Sequence, residues 1–101
     1  MNTDIYQGDI LKIENISEPV LVVSKDFFNS SGEIIGCPIV KAGTPGLLHV
    51  RLSSGEHEGL VHCEKLKHLN LNARGYLKKG EISLADRIVI SDTIQGLFEY
   101  I

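Results

Sequence analysis

The chain has 101 residues, 43% of them hydrophobic, and a formal net charge of −3. That length and composition fit a single domain over residues 1–101 with one modest core, and exclude a disordered chain. No apolar run approaches the ~20 residues of a bilayer span, Met1 to Gln7 lacks the basic and apolar regions of a signal peptide, and the acidic total speaks against a dedicated high-affinity nucleic-acid binder, so a cytoplasmic protein is expected.

Short apolar runs between turn signals predict a small barrel or sandwich. Gly8-Asp9 leads into a first strand through Ile10, Leu11 and Ile13. Asn15 to Glu18 is a tight connection, and Pro19 suits the start of an edge strand. The continuous run Val20 to Val23 predicts a second strand covered on both faces. Lys25 to Glu33 reads as a polar excursion turning at Asn29-Ser30-Ser31-Gly32. A third strand spans Ile34 to Val40, a Gly/Pro loop Lys41 to Gly46, a fourth strand Leu47 to Leu52, a polar turn Ser53 to Glu58 and a fifth strand Gly59 to Cys63. Leu66, Leu69 and Leu71 suggest one more short strand, punctuated by Arg74-Gly75 and Lys79-Gly80. Ser83 is then a helix N-cap with Asp86 as capping-box acid. Leu84, Ile88, Ile94, Leu97 and Ile101 recur at near-helical spacing, predicting an amphipathic C-terminal helix laid against the barrel. Val89 and Ile90 leave room for part of it to be extended.

Charge is unevenly spread. Residues 62–79 carry Lys65, Lys67, Arg74, Lys78 and Lys79 against Glu64 alone, a local positive stripe able to meet phosphates. A strand edge guarded by lysines explains the stripe equally well. Cys37 and Cys63 lie inside apolar runs and read as buried thiols. The four histidines form no tight cluster along the chain, and Gly-rich phosphate loops and nucleophile elbows are missing, so neither metal nor cofactor is expected. His49 reads as half buried in its strand and His57 as solvated in its turn.

The order of these pieces resembles the MazF/PemK toxins of toxin–antitoxin pairs, which share a fold with the CcdB gyrase poisons. Gln7-Gly8-Asp9-Ile10-Leu11 resembles their first-strand start, Glu18-Pro19-Val20-Leu21-Val22-Val23-Ser24 their second strand, and Phe28-Asn29 with Gly32 their aromatic-Asn…Gly turn. Gly36-Cys37-Pro38-Ile39 is similar to the third strand, Gly59 through Leu69 to the dimer and substrate face, and Ala73 through Ser83 to the run into the last helix. The resemblance implies a mainly β fold, a small SH3-like barrel of the CcdB/PemK type with a C-terminal α-helix. It also implies a homodimer joined through sheet edges and the fifth-strand region, inhibited by the extended tail of a cognate antitoxin, and a metal-independent endoribonuclease acting on single-stranded RNA.

Two family positions are altered. The family's phosphate-holding Arg is Glu18 here, and its Thr or Ser donor at the end of the third strand is Val40. The loop between the first two strands, long and charged in the family, is also short. His62, Glu64 and Thr44 are candidate catalytic substitutes. A near-neutral His62 would carry the proton and Glu64, two residues on along a strand face, would orient it. Arg51, Lys65, Lys67 and Arg74 are the candidate nucleic-acid contacts. Three functions follow: an endoribonuclease with a rearranged site, a barrel of the same family that has lost cleavage and only binds nucleic acid or protein, and a CcdB-like topoisomerase poison.

Overall fold

The computed structural model describes residues 5–53 and 58–99. The expected turn at Ser53 to Glu58, His57 with it, and the helical position Ile101 therefore fall wholly or partly outside the described residues. Among the described residues, seven strands and two helices follow in chain order: β1 (Asp9–Ile13), β2 (Val20–Val22), α1 (Asp26–Asn29), β3 (Glu33–Val40), β4 (His49–Arg51), β5 (Leu60–His62), β6 (Lys67–Asn70), β7 (Tyr76–Glu81) and α2 (Leu84–Gly96). The fold is mainly β with a C-terminal helix, as the sequence predicts.

All strand pairs are antiparallel, and the hydrogen-bonded path runs β4-β5-β3-β2-β1-β7. The eight-residue β3 is the hub. One edge pairs with β2 from Gly36 to Pro38; the other carries β6 on residues 33–36 and β5 on Ile39 and Val40. The sheet divides two apolar cores. Ile10, Leu21, Cys37, Ile39, Val61, Cys63, Ile82 and Ile90 fill the first, while Leu11, Ile13, Val20, Val22, Ile34, Leu69 and Leu71 fill the second. Neighbours along β2 thus serve opposite cores, which is why that strand is continuously apolar, as predicted.

The Gly8-Asp9 start has a physical reason. Gly8 adopts φ +98°, a conformation disfavoured for residues with a Cβ, and its N–H bonds the Val22 carbonyl at 2.8 Å. Asp9 is buried, accepts the Tyr6 N–H at 2.8 Å and meets Lys78 Nζ at 3.1 Å. The Asn29 turn is likewise built: the buried Asn29 amide donates to the Ser24 carbonyl at 3.0 Å, and Ser24 Oγ accepts the Ile35 N–H at 2.9 Å.

Three local readings need correction. The polar excursion contains a helical turn, α1. The stretch read as punctuation, Arg74 to Gly80, holds all but the last residue of β7, which pairs with β1 from Asp9↔Glu81 to Ile13↔Tyr76. It went unseen because β7 is polar and exposed over most of its length, so its backbone rather than a buried face holds it. The core-facing side of α2 is also different. Leu84 and Ile88 are 66% and 54% exposed, whereas Asp86, Ile90 and Ile94 line the inner stripe. Ser83 does cap the helix, accepting the Asp86 N–H at 3.1 Å. The Asp86 carboxyl takes Ser53 N–H at 2.9 Å and Ser53 Oγ–H at 2.8 Å, tying the helix to the end of the β4 segment.

Candidate functional site

Two adjoining features gather the chemistry-bearing residues. The first is a cleft of about 210 Å³ lined by Ile16, Glu18, Val20, Gly36, Cys37, Pro38, Lys65, Lys67 and Leu69. β2 lies against β3 here, with Val22 opposite Gly36. A Cβ there would collide with the Val20 side chain and come within 3.1 Å of the Leu21 carbonyl, so glycine permits the close approach. Lys65 and Lys67 therefore line the same cleft as Glu18 at the entry to β2. Both lysines are exposed, and among the described residues neither meets a carboxylate within ion-pair distance. The rest of the positive stripe disperses. Lys78 is paired with Asp9, Arg74 is exposed between β6 and β7, and Arg51 ends β4 outside the cleft lining.

The second feature is a histidine cluster on the β4–β5 hairpin. The register sets His49 opposite His62. Directly opposed side chains on one face of an antiparallel pair are close neighbours, and here the rings stack at 3.8 Å between centroids and 7° between planes. Glu64 lies in the turn after β5 and its Oε2 is 3.0 Å from His49 Nε2. The expected His62–Glu64 dyad on one strand face is thus corrected. The strand ends at His62, and Glu64 orients His49 instead. One ligand-type atom from each of His49, His62 and Glu64 lies within 4.8 Å of the others, a cluster not visible along the chain. His62 Nδ1 is buried without a hydrogen-bond partner.

The electrostatics follow from these contacts. Desolvation lowers the His62 pKa below the ordinary histidine value, His49 and Lys65 push the same way, and Glu64 opposes them. The hydrogen bond with His49 is the largest cause holding Glu64 below the usual carboxylate value. At neutral pH the pair is therefore a neutral His62 imidazole beside an ionised Glu64. The turn that follows joins cluster to cleft, since Lys65 N–H bonds the His62 carbonyl at 3.1 Å. Thr44 sits exposed in the loop between β3 and β4. Val40, half buried at the end of β3, pairs with Leu60.

His49 is the cluster residue that sequence reasoning left aside. A signal for it existed: a turn centred between Gly55 and Glu56 sets residue 49 opposite residue 62 in any regular hairpin.

The fold is that of a small antiparallel β domain with a helix after its last strand, and solved structures share it. The Deinococcus radiodurans MazF in its complex with MazE (Form-I) matches with a TM-score of 0.82 at 18% identity, over 92% of this chain and 94% of that one. An endoribonuclease from a mycobacterial species matches with a TM-score of 0.84 at 16% identity, over 95% and 92% of the two chains. A mycobacterial endoribonuclease in complex with its cognate antitoxin matches with a TM-score of 0.76 at 16% identity, over 95% and 99%. Comparison with curated proteins gives no match. The family model for the PemK-like, MazF-like toxin of type II toxin–antitoxin systems matches residues 4–98, and the chain belongs to that family.

Proposed function

We propose that this chain is the toxin of an antitoxin-controlled pair and cuts single-stranded RNA without a metal, acting in the cytoplasm as a homodimer of one-domain protomers spanning residues 1–101. The observation that carries the reading is the cleft in which Lys65 and Lys67 line the same space as the entry to β2. In the altered site these two ammonium groups take the place of the missing Arg and hold the phosphate. Cleavage of this kind needs a base for the 2′-hydroxyl proton, charge stabilisation as the oxygen attacks phosphorus, and an acid for the departing 5′-oxygen. His62, neutral at physiological pH and next to the lysine-bearing turn, is the candidate base. The solved relatives in complex with antitoxins support an antitoxin partner.

The test is a gel assay on single-stranded RNA with a chelator present. Cutting is expected, and a substrate with 2′-deoxyribose at the cut position resists it. Lys65→Ala/Lys67→Ala slows the reaction at least about 100-fold, the scale of losing one charge-stabilising donor. Intact RNA with the wild-type chain, or full activity in the double variant, refutes the reading. Sedimentation at micromolar concentration should give a dimer.

One observation favours a second reading, a barrel that binds without cutting. Glu18 lines the same cleft and repels phosphate, while Val40 offers no side-chain donor. RNA retention in a polarisation assay, with no product on the gel, would select it.

A further inference from the structure

We propose that His49, His62 and Glu64 form a binding site for a borderline divalent transition metal such as Zn²⁺, whose occupancy would take His62 away from the role of base in the RNA reading. The three residues come from two strands and a turn, and one ligand-type atom of each lies within 4.8 Å of the others. Two imidazoles and a carboxylate are the donor set of open zinc sites, which complete tetrahedral geometry with water. The imidazole majority selects Zn²⁺, Cu²⁺, Ni²⁺ or Co²⁺ over Mg²⁺ and Ca²⁺, which prefer all-oxygen shells.

The geometry is close to what ligation needs. Zinc bonds of about 2.0–2.2 Å in a tetrahedron set donor atoms roughly 3.4 Å apart. His49 Nε2 and Glu64 Oε2 already stand at 3.0 Å. Stacked rings aim their lone pairs along parallel lines, so one imidazole must turn about its Cβ–Cγ bond, a torsion that is broad for histidine. His62 Nδ1 is buried with no hydrogen bond to give up. A metal here would fasten β4 to β5 and to the Lys65 turn.

The other groups of this kind are already committed. His68 Nε2 is engaged by Glu33 Oε1 at 2.6 Å, and Asp9 by Lys78. Cys37 and Cys63 are fully buried in the first core. Among the described residues the hairpin cluster alone gathers three ligand-type side chains within 4.8 Å of one another.

Tag-free full-length protein, stripped of metal by a chelating resin, is titrated with zinc alone by calorimetry and then with Co²⁺ in the visible. One zinc per chain and the d–d bands of a low-symmetry cobalt site are expected. His49→Ala, His62→Ala and Glu64→Gln should each weaken zinc binding at least tenfold and abolish the cobalt bands, while His68→Ala leaves both unchanged. Circular dichroism of each variant separates loss of ligand from loss of fold, and Glu64→Gln keeps the side-chain shape. Lack of saturable uptake by the wild-type chain, or uptake unchanged in folded His49→Ala and His62→Ala, overturns the proposal.

Discussion

Replacing Asp86 by Ala should be among the most destabilising substitutions on α2, although the residue faces no ligand. The residue is 6% exposed, and its carboxyl group accepts two hydrogen bonds from Ser53, at 2.9 and 2.8 Å. Hydrogen bonds to a carboxylate contribute about 1.5–3 kcal/mol each. Ser53 is exposed, so water can reclaim its donors, and the lower end applies, about 3 kcal/mol for the pair. The acid also sits in the first turn of the helix, where the macrodipole adds about 0.3–1 kcal/mol. The sum of about 3–4 kcal/mol corresponds to a Tm lower by roughly 12–32 °C for a domain of this size. Ser53→Ala removes the hydroxyl bond alone and should cost about 1.5 kcal/mol. Scanning calorimetry of the single and double variants checks both values, and the double variant should cost clearly less than the sum because the bond is shared. An Asp86→Ala protein melting within a few degrees of wild type would refute the reasoning that this contact fastens α2 to the sheet.

Restoring the family residue with Glu18→Arg should raise RNA affinity and steepen its salt dependence, since a repelling group in the cleft becomes an attracting one. Polarisation titrations at several ionic strengths check this, and unchanged affinity would show that the cleft is not where RNA lies. The thiols give a pH signature. Burial pushes Cys37 up to about 12 and Cys63 up to about 11, against an ordinary value of 9.0. Between pH 9 and the folded values the unfolded chain loses thiol protons that the folded chain keeps. Their contribution to stability is therefore complete below pH 9 and fades as the pH rises towards 12. Denaturant titrations should show a shallower alkaline decline in Cys37→Ala/Cys63→Ala, and a thiol reagent at pH 8 should label wild type only as fast as it unfolds. Equal declines, or rapid labelling of the folded chain, would contradict this.

What the sequence made legible was whatever depends on buried apolar pattern or on a turn with fixed chemistry. The Val20 run announced a strand covered on both faces, and Ser83 announced the helix start. β7 was hidden because Lys78, Lys79 and Gly80 give it no apolar alternation; it is specified by its ladder with β1, a long-range property. The orientation of α2 misled for the opposite reason. Three of its five large apolar residues, Leu84, Ile88 and Val89, face outward, while a carboxyl group joins Ile90 and Ile94 on the inner stripe through its bond to Ser53. Of the candidate site, the apposition of Lys65 and Lys67 with the ends of β2 and β3 was legible from the motif order. The partnership of Glu64 was not, because it goes to a residue fifteen positions away, set by hairpin register.

The ladder between β1 and β7 joins residues 9–13 to residues 76–81. A growing chain cannot complete it until the seventh strand has cleared the ribosome, and until then the edge of β1 stays unmated. Pairing across so much sequence carries a loop-closure cost that slows the final step. Closure of this edge thus waits on the synthesis of residues 76–81, and the strands made earlier must persist with β1 half mated until they arrive.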